Sequence, residues 1–125
     1  MTIIESSDLP AANGHYSQCI VFNKVLYVSG QLPVDPISKT VPATIEAQTD
    51  LVLSKVDTIL TSVGVSRNEV IQARIYLDDI ALWDRVNERY KVFFGDHKPV
   101  RCIVPVKTLH YGCLIEVEIT AQAEK

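Results

Sequence analysis

Arg101, Glu116 and Glu118 are the residues of this chain best placed to do chemistry. Arg101 lies in an apolar run from Pro99 to Val106, and the glutamates alternate through a second run from Cys113 to Ala123. Both runs are rich in β-branched residues and bounded by turn formers, so both are expected as strands. Side chains alternate faces along a strand. Glu116 and Glu118 then share one face with Leu114 and Thr120, opposite Cys113, Ile115, Val117, Ile119 and Ala121. The short linker Lys107 to Gly112 predicts an antiparallel hairpin that sets Arg101 across from Glu116 or Glu118. A guanidinium in such a strand needs a partner, because an unpaired buried charge is costly. On strand geometry alone the preferred partner is one of those glutamates, in a structural ion pair. The functional reading is a planar fork that grips a substrate carboxylate through two parallel hydrogen bonds. A neighbouring glutamate would then orient water or move a proton. Same-face glutamates on a strand are otherwise a solvated outer face, and their spacing alone is no sign of a glycosidase.

Other chemistry-bearing residues are scattered. His15, His97 and His110 fall in expected loops, with His97 read as a surface residue and His15 and His110 closer to the strands of interest. No His, Cys, Asp or Glu set has metal-ligand spacing, so no metal is expected. Cys19, Cys102 and Cys113 are an odd number without paired spacing, and are expected as buried free thiols in a reducing compartment. Ser29-Gly30-Gln31 follows a strand but is neither a nucleophile elbow nor a phosphate loop. Its backbone could still line a site, because Gly30 permits close approach. Arg74 is a weaker candidate expected to face solvent, and Trp83 is read as core.

These side chains must be positioned by the elements around them. Residues 2–5 are expected as a short edge strand, and Asp8 to Gly14 as a loop broken by Pro10 and Gly14. Tyr16 to Phe22 and Val25 to Ser29 form strands joined at Asn23-Lys24, the length of a two-residue hairpin turn. Gly30 to Ala43, punctuated by Pro33, Pro36 and Pro42, is a long connection of the kind that often serves function. Ala43 to Val63 carries a helical stripe of Ile45, Val52, Val56, Ile59, Leu60 and Val63, closed by Gly64. Ser66 to Glu69 reads as a capping box ahead of a strand from Val70 to Leu77. Asp79 caps a second helix from Ile80 to Phe94, ended by Gly95. The order β-β-β-α-β-α-β-β predicts one α+β domain over residues 1–125, with about six strands and both helices on one face. The other face keeps several apolar residues, which points to cover by another subunit.

Composition narrows the function classes. A 125-residue chain that is 47% hydrophobic can bury one real core. A net charge of −3, without a basic block, gives little support to nucleic-acid binding. No apolar stretch is long enough to span a bilayer. The first residues lack the basic start and apolar run of a signal peptide, so a cytoplasmic protein is expected.

Several segments together resemble the YjgF/Rid family, the reactive-intermediate deaminases. Gly14-His-Tyr-Ser-Gln18 resembles the family's Gly-Pro-Tyr-Ser-Gln, and Tyr27-Val-Ser-Gly-Gln-Leu-Pro33 its Tyr-Ile-Ser-Gly-Gln-Ile-Pro. Val86-Asn-Glu-Arg-Tyr-Lys-Val-Phe-Phe94, Pro99-Val-Arg101 and Ile115-Glu-Val-Glu-Ile-Thr-Ala121 resemble later family motifs, so the likeness runs end to end. The resemblance implies a chorismate-mutase-like α+β fold, a homotrimer with sites between subunits, and no cofactor. It implies hydrolysis of 2-aminoacrylate and 2-iminobutanoate to 2-keto acids and ammonia. By position it makes Arg101 the carboxylate clamp and Glu116 the residue that places water. It makes Tyr16, Ser29 and Asn87 pocket residues, and the Ile103 backbone N–H a carboxylate contact. Regulatory carboxylate binding without useful turnover, or RNA cleavage and translation inhibition, are the alternative activities. The chain departs from the family pattern at His15, at Ile103 and at the turn Leu109-His-Tyr-Gly112, where a Leu-Pro-Lys turn is usual.

Overall fold

The computed structural model describes residues 1–5, 9 and 11–123. Asp8 and Pro10 of the expected N-terminal loop lie outside the described residues. The chain forms β1 (Thr2–Ile4), β2 (Cys19–Phe22), β3 (Val25–Gln31), α1 (Ile45–Ser62), β4 (Val70–Leu77), α2 (Trp83–Phe94), β5 (Val100–Pro105) and β6 (Ile115–Gln122). The strands make one mixed sheet in the order β1-β2-β3-β6-β4-β5, so the expected α+β architecture of six strands and two helices holds.

Local chemistry explains most element boundaries. The β2–β3 turn places Asn23 at φ 49° and Lys24 at φ 63°, the left-handed pair that a two-residue hairpin requires. Thr44 caps α1 by accepting the Ala47 N–H at 3.2 Å, a step inside the expected start. Gly64 follows the helix at φ 72°. The Ser66–Glu69 capping box is present, and it caps a single 3-10 turn, Arg67–Glu69, that leads into β4. Asp79 likewise caps a 3-10 turn, Ile80–Leu82, before α2 begins.

The expected β5–β6 hairpin does not form. β5 pairs parallel with β4, while β6 is inserted between β3 and β4, antiparallel to both. Two physical reasons are visible. β4, α2 and β5 form a strand–helix–strand crossover, which lays the second strand parallel to the first. The two strands also differ in what they can bury. Ile115, Val117, Ile119 and Ala121 of β6 are at most 1% exposed, so β6 occupies the middle of the sheet, where α1 packs on it. β5 has exposed Val100, Cys102 and Val104 and ends in Pro105, which suits a sheet edge.

Both helices cover one face of the sheet. α1 buries Ile45, Val52, Leu53, Val56, Ile59 and Leu60, and α2 buries Val86, Tyr90 and Phe94. Each such aliphatic or aromatic side chain contributes about 1.5–3 kcal/mol on leaving water. Polar groups on the α1 stripe pin the connections. Gln48 Nε2 donates to Pro42 O at 2.8 Å, and its Oε1 accepts the Leu114 N–H at 2.8 Å. Lys55 Nζ donates to Leu32 O and Val34 O at 2.7 and 3.1 Å, tying the long 30–43 connection to the helix.

Candidate functional site

Arg101 and Glu116 project from opposite faces of the sheet. Residues directly opposite in a ladder point to the same side. Arg101 pairs with Ala73, and Ala73 pairs with Ile119, both buried under the helices. Glu116 pairs with Tyr76, and Glu118 with Arg74, on the helix-free face. The ion pair expected between Arg101 and one of these glutamates is therefore absent. No carboxylate forms a salt bridge with Arg101 among the described residues.

The Arg101 group is built by β5 and α2. Arg101 Nη1 donates to Asn87 Oδ1 at 2.9 Å. Its Cζ lies 4.7 Å from the centre of the Tyr90 ring and 5.3 Å from that of Trp83. Trp83, Asn87 and Tyr90 recur at helical spacing and so share one face of α2. Trp83 is 36% exposed, so it is a partner of the guanidinium rather than the core residue expected. Burial pushes the Tyr90 phenol up to about 12, against the pull of Arg101, and its ring remains a neutral cation–π partner. The guanidinium is thus oriented by an amide and two rings, and no carboxylate of the described residues pairs with it. Ile103 sits two residues on, its side chain packed against the core.

The Glu116 group is built by β3, β6 and two loops. Glu116 lines a cleft of about 630 Å³ with Tyr16, Gly30, Lys55, His110 and Tyr111. Its carboxylate rests on the bare backbone of Gly30, where an added Cβ would come 2.9 Å from Oε2. This is the close approach that glycine allows. Burial and then the Glu118 charge raise the Glu116 pKa, and His110 opposes them. Glu118 is itself held by Tyr76, whose hydroxyl donates to Oε1 at 2.9 Å. Ser29 lies beside Gly30, and its Oγ donates to Gln18 O at 2.9 Å. Tyr16 is half exposed at the cleft, with its hydroxyl oxygen accepting the Asn13 N–H at 3.3 Å.

The structure thus sorts the expected site residues into two groups, Arg101 with Asn87 and neighbouring Ile103, and Glu116 with Tyr16 and Ser29. It does not bring the groups together within one chain. Two histidine and cysteine expectations change. His97 is half-buried, with Nε2 2.7 Å from Val70 O, and serves packing rather than lying free on the surface. Cys19 and Cys113 are buried free thiols, whereas Cys102 is exposed because it faces outward on the edge strand. Lys55 was missed as a cleft residue, and its signal was a lysine facing a long Pro-rich loop. Among the described residues no cluster of three His, Cys, Asp or Glu side chains is placed to hold a metal ion. Among the described residues no helix is long and apolar enough to cross a membrane.

Comparison with known proteins identifies the family of the chain. The model of the family described as Endoribonuclease L-PSP matches residues 6–123. The chain belongs to this YjgF/RidA/RutC family. A RutC family protein of Pyrococcus horikoshii is 37% identical over 123 residues, covering 98% of each chain. The 2-iminobutanoate/2-iminopropanoate deaminase of Rattus norvegicus is 35% identical over 120 residues, covering 95% of this chain and 88% of the rat protein. The crystal structure of Escherichia coli TdcF with bound serine superposes with a TM-score of 0.92 at 31% identity, covering 99% of this chain and 100% of TdcF. The family and these relatives point to a Rid-type enamine or imine deaminase as the broad class.

Proposed function

We propose that the protein hydrolyses 2-enamine and 2-imine intermediates, such as 2-aminoacrylate and 2-iminobutanoate, to 2-keto acids and ammonia. The observation that carries this reading is the oriented Arg101 fork, which pairs with no carboxylate among the described residues. Arg101 grips the substrate carboxylate, with the Ile103 backbone N–H as a second donor and Asn87 fixing the fork. Glu116, seated on Gly30 in the cleft, takes a proton from the attacking water, and Tyr16 and Ser29 shape the pocket wall. An imine carbon is already electrophilic, so placement and proton transfer suffice without a nucleophilic side chain or a cofactor.

The two groups meet when the Arg101 edge of one copy docks at the Glu116 cleft of another, in a homotrimer with sites between subunits. Support comes from the helix-free face, where Ile3, Phe22 and Tyr27 are about half exposed and Val100 is 62% exposed. Apolar area of this kind on a sheet face marks an interaction surface. We place the protein in the cytoplasm, where PLP-dependent dehydratases release such intermediates.

The test couples the purified protein to a threonine dehydratase and follows keto-acid release. The expected result is faster formation of 2-oxobutanoate than from the spontaneous reaction. Binding of 2-oxobutanoate without acceleration would instead favour a carboxylate-binding regulator. RNA degradation that survives Arg101→Ala in carefully purified protein would favour the endoribonuclease reading.

A further inference from the structure

Imine hydrolysis delivers both protons of water to the departing nitrogen. Glu116 accounts for removing a proton from water, but some group must also hand one to nitrogen. The side chains that could do so face the same cleft: Tyr16, Asp35, Lys39, Lys55, His110 and Tyr111. Most are committed or mismatched. Asp35 Oδ1 accepts the Ile37 and Ser38 N–H groups at 2.8 and 2.9 Å. These hydrogen bonds hold its carboxyl below the usual range and keep it ionised. Lys55 donates to two loop carbonyls. Lys39 is exposed to solvent, and the Tyr16 hydroxyl oxygen already accepts the Asn13 N–H. His110 supplies the imidazole of this set, a ring that can both give and take a proton.

The backbone presents His110 deliberately. It opens the 3-10 turn His110–Gly112 just ahead of β6, and Tyr111 follows at φ 60°, ψ 19°, a left-handed conformation uncommon for a residue with a side chain. The two rings lie 3.8 Å apart at 64°, so the imidazole is braced against the tyrosine. Glu116 feels the imidazole charge, which lowers its pKa against burial and Glu118.

We propose that His110 is the second proton carrier of the cleft and a catalytic residue, working in tandem with Glu116. This rests on the imine-hydrolase reading above. As the water oxygen bonds to the imine carbon, Glu116 takes a water proton. The C=N π pair moves to nitrogen, which takes a proton from the His110 imidazolium. In the second half Glu116 returns its proton to the amine and neutral His110 takes the hydroxyl proton. The C–N bond breaks with its pair leaving on ammonia, and the C=O bond forms. Both side chains end as they began, and the net change is one water in and one ammonia out.

The experiment measures kcat and KM for 2-iminobutanoate from about pH 5 to pH 9 for the wild type, His110→Gln and His110→Ala. The wild-type kcat is expected to fall at low pH as Glu116 is protonated and at high pH as His110 loses its proton. His110→Gln is expected to lower kcat about 100-fold, leave KM nearly unchanged and abolish the high-pH fall. Added imidazole is expected to restore His110→Ala in proportion to its concentration. His110 is exposed, so both variants should match the wild type in circular dichroism and elution volume. An active wild type, with His110→Gln keeping its kcat and its alkaline limb, would overturn the role of His110 and leave the hydrolase reading standing. A wild type without turnover would overturn both.

Discussion

Arg101→Ala is expected to lower kcat/KM for 2-iminobutanoate by about 10²- to 10³-fold, or about 3–4 kcal/mol of transition-state binding. The loss should fall mostly on KM, because a carboxylate clamp acts on substrate and transition state alike. The fold should survive. Arg101 is only half-buried on an edge strand, and its partners are an amide and two aromatic faces rather than a charge that would be stranded. Arg101→Lys keeps the charge but loses the planar fork, so it should recover part of the binding and not all of it. Following keto-acid release over a range of substrate concentrations checks both variants. Unchanged kcat/KM in a folded Arg101→Ala protein would remove the clamp.

Glu116→Gln is expected to act on the other constant. Glutamine keeps the shape over Gly30 but cannot take a proton, so kcat should fall by about 10²- to 10³-fold with KM little changed. The pH dependence gives an independent sign. A base works when ionised, so wild-type activity should rise with pH through the Glu116 pKa. That pKa is raised by burial and by the Glu118 charge. Glu118→Gln removes the charge contribution, so the acid limb should move to lower pH while the maximal rate changes little. Titrating kcat/KM for the wild type and Glu118→Gln measures that shift. A shift toward higher pH would contradict the account of Glu116.

Much of the frame was legible because its signals are local. The Ser66–Glu69 box, the Gly64 and Gly95 stops and the Asn23-Lys24 turn act within a few residues, and each appears where it was expected. Strand order was less legible, because it depends on competition among strands for the covered centre of the sheet. A six-residue linker suggests a hairpin, but β6 buries its apolar face beneath α1, while β5, preceded by Pro99 and ending in Pro105, takes the edge. That single exchange carried Arg101 away from both glutamates. The cradle of Trp83, Asn87 and Tyr90 followed from it, since only a strand beside the α2 end of the sheet brings the guanidinium to those rings. Arg101 and Glu116 could be singled out from residue type and strand context. Their separation onto opposite faces could not, because it requires the pairing register through β4.

The central claim is that Arg101 of one copy works with Glu116 of another. Co-expressing Arg101→Ala and Glu116→Gln chains in equal amounts tests it most directly, with each variant nearly inactive alone. Random mixing leaves an intact arginine facing an intact glutamate at about a quarter of the sites of a cyclic trimer, so about a quarter of the wild-type keto-acid release should return. A mixture no more active than its parents would contradict the claim.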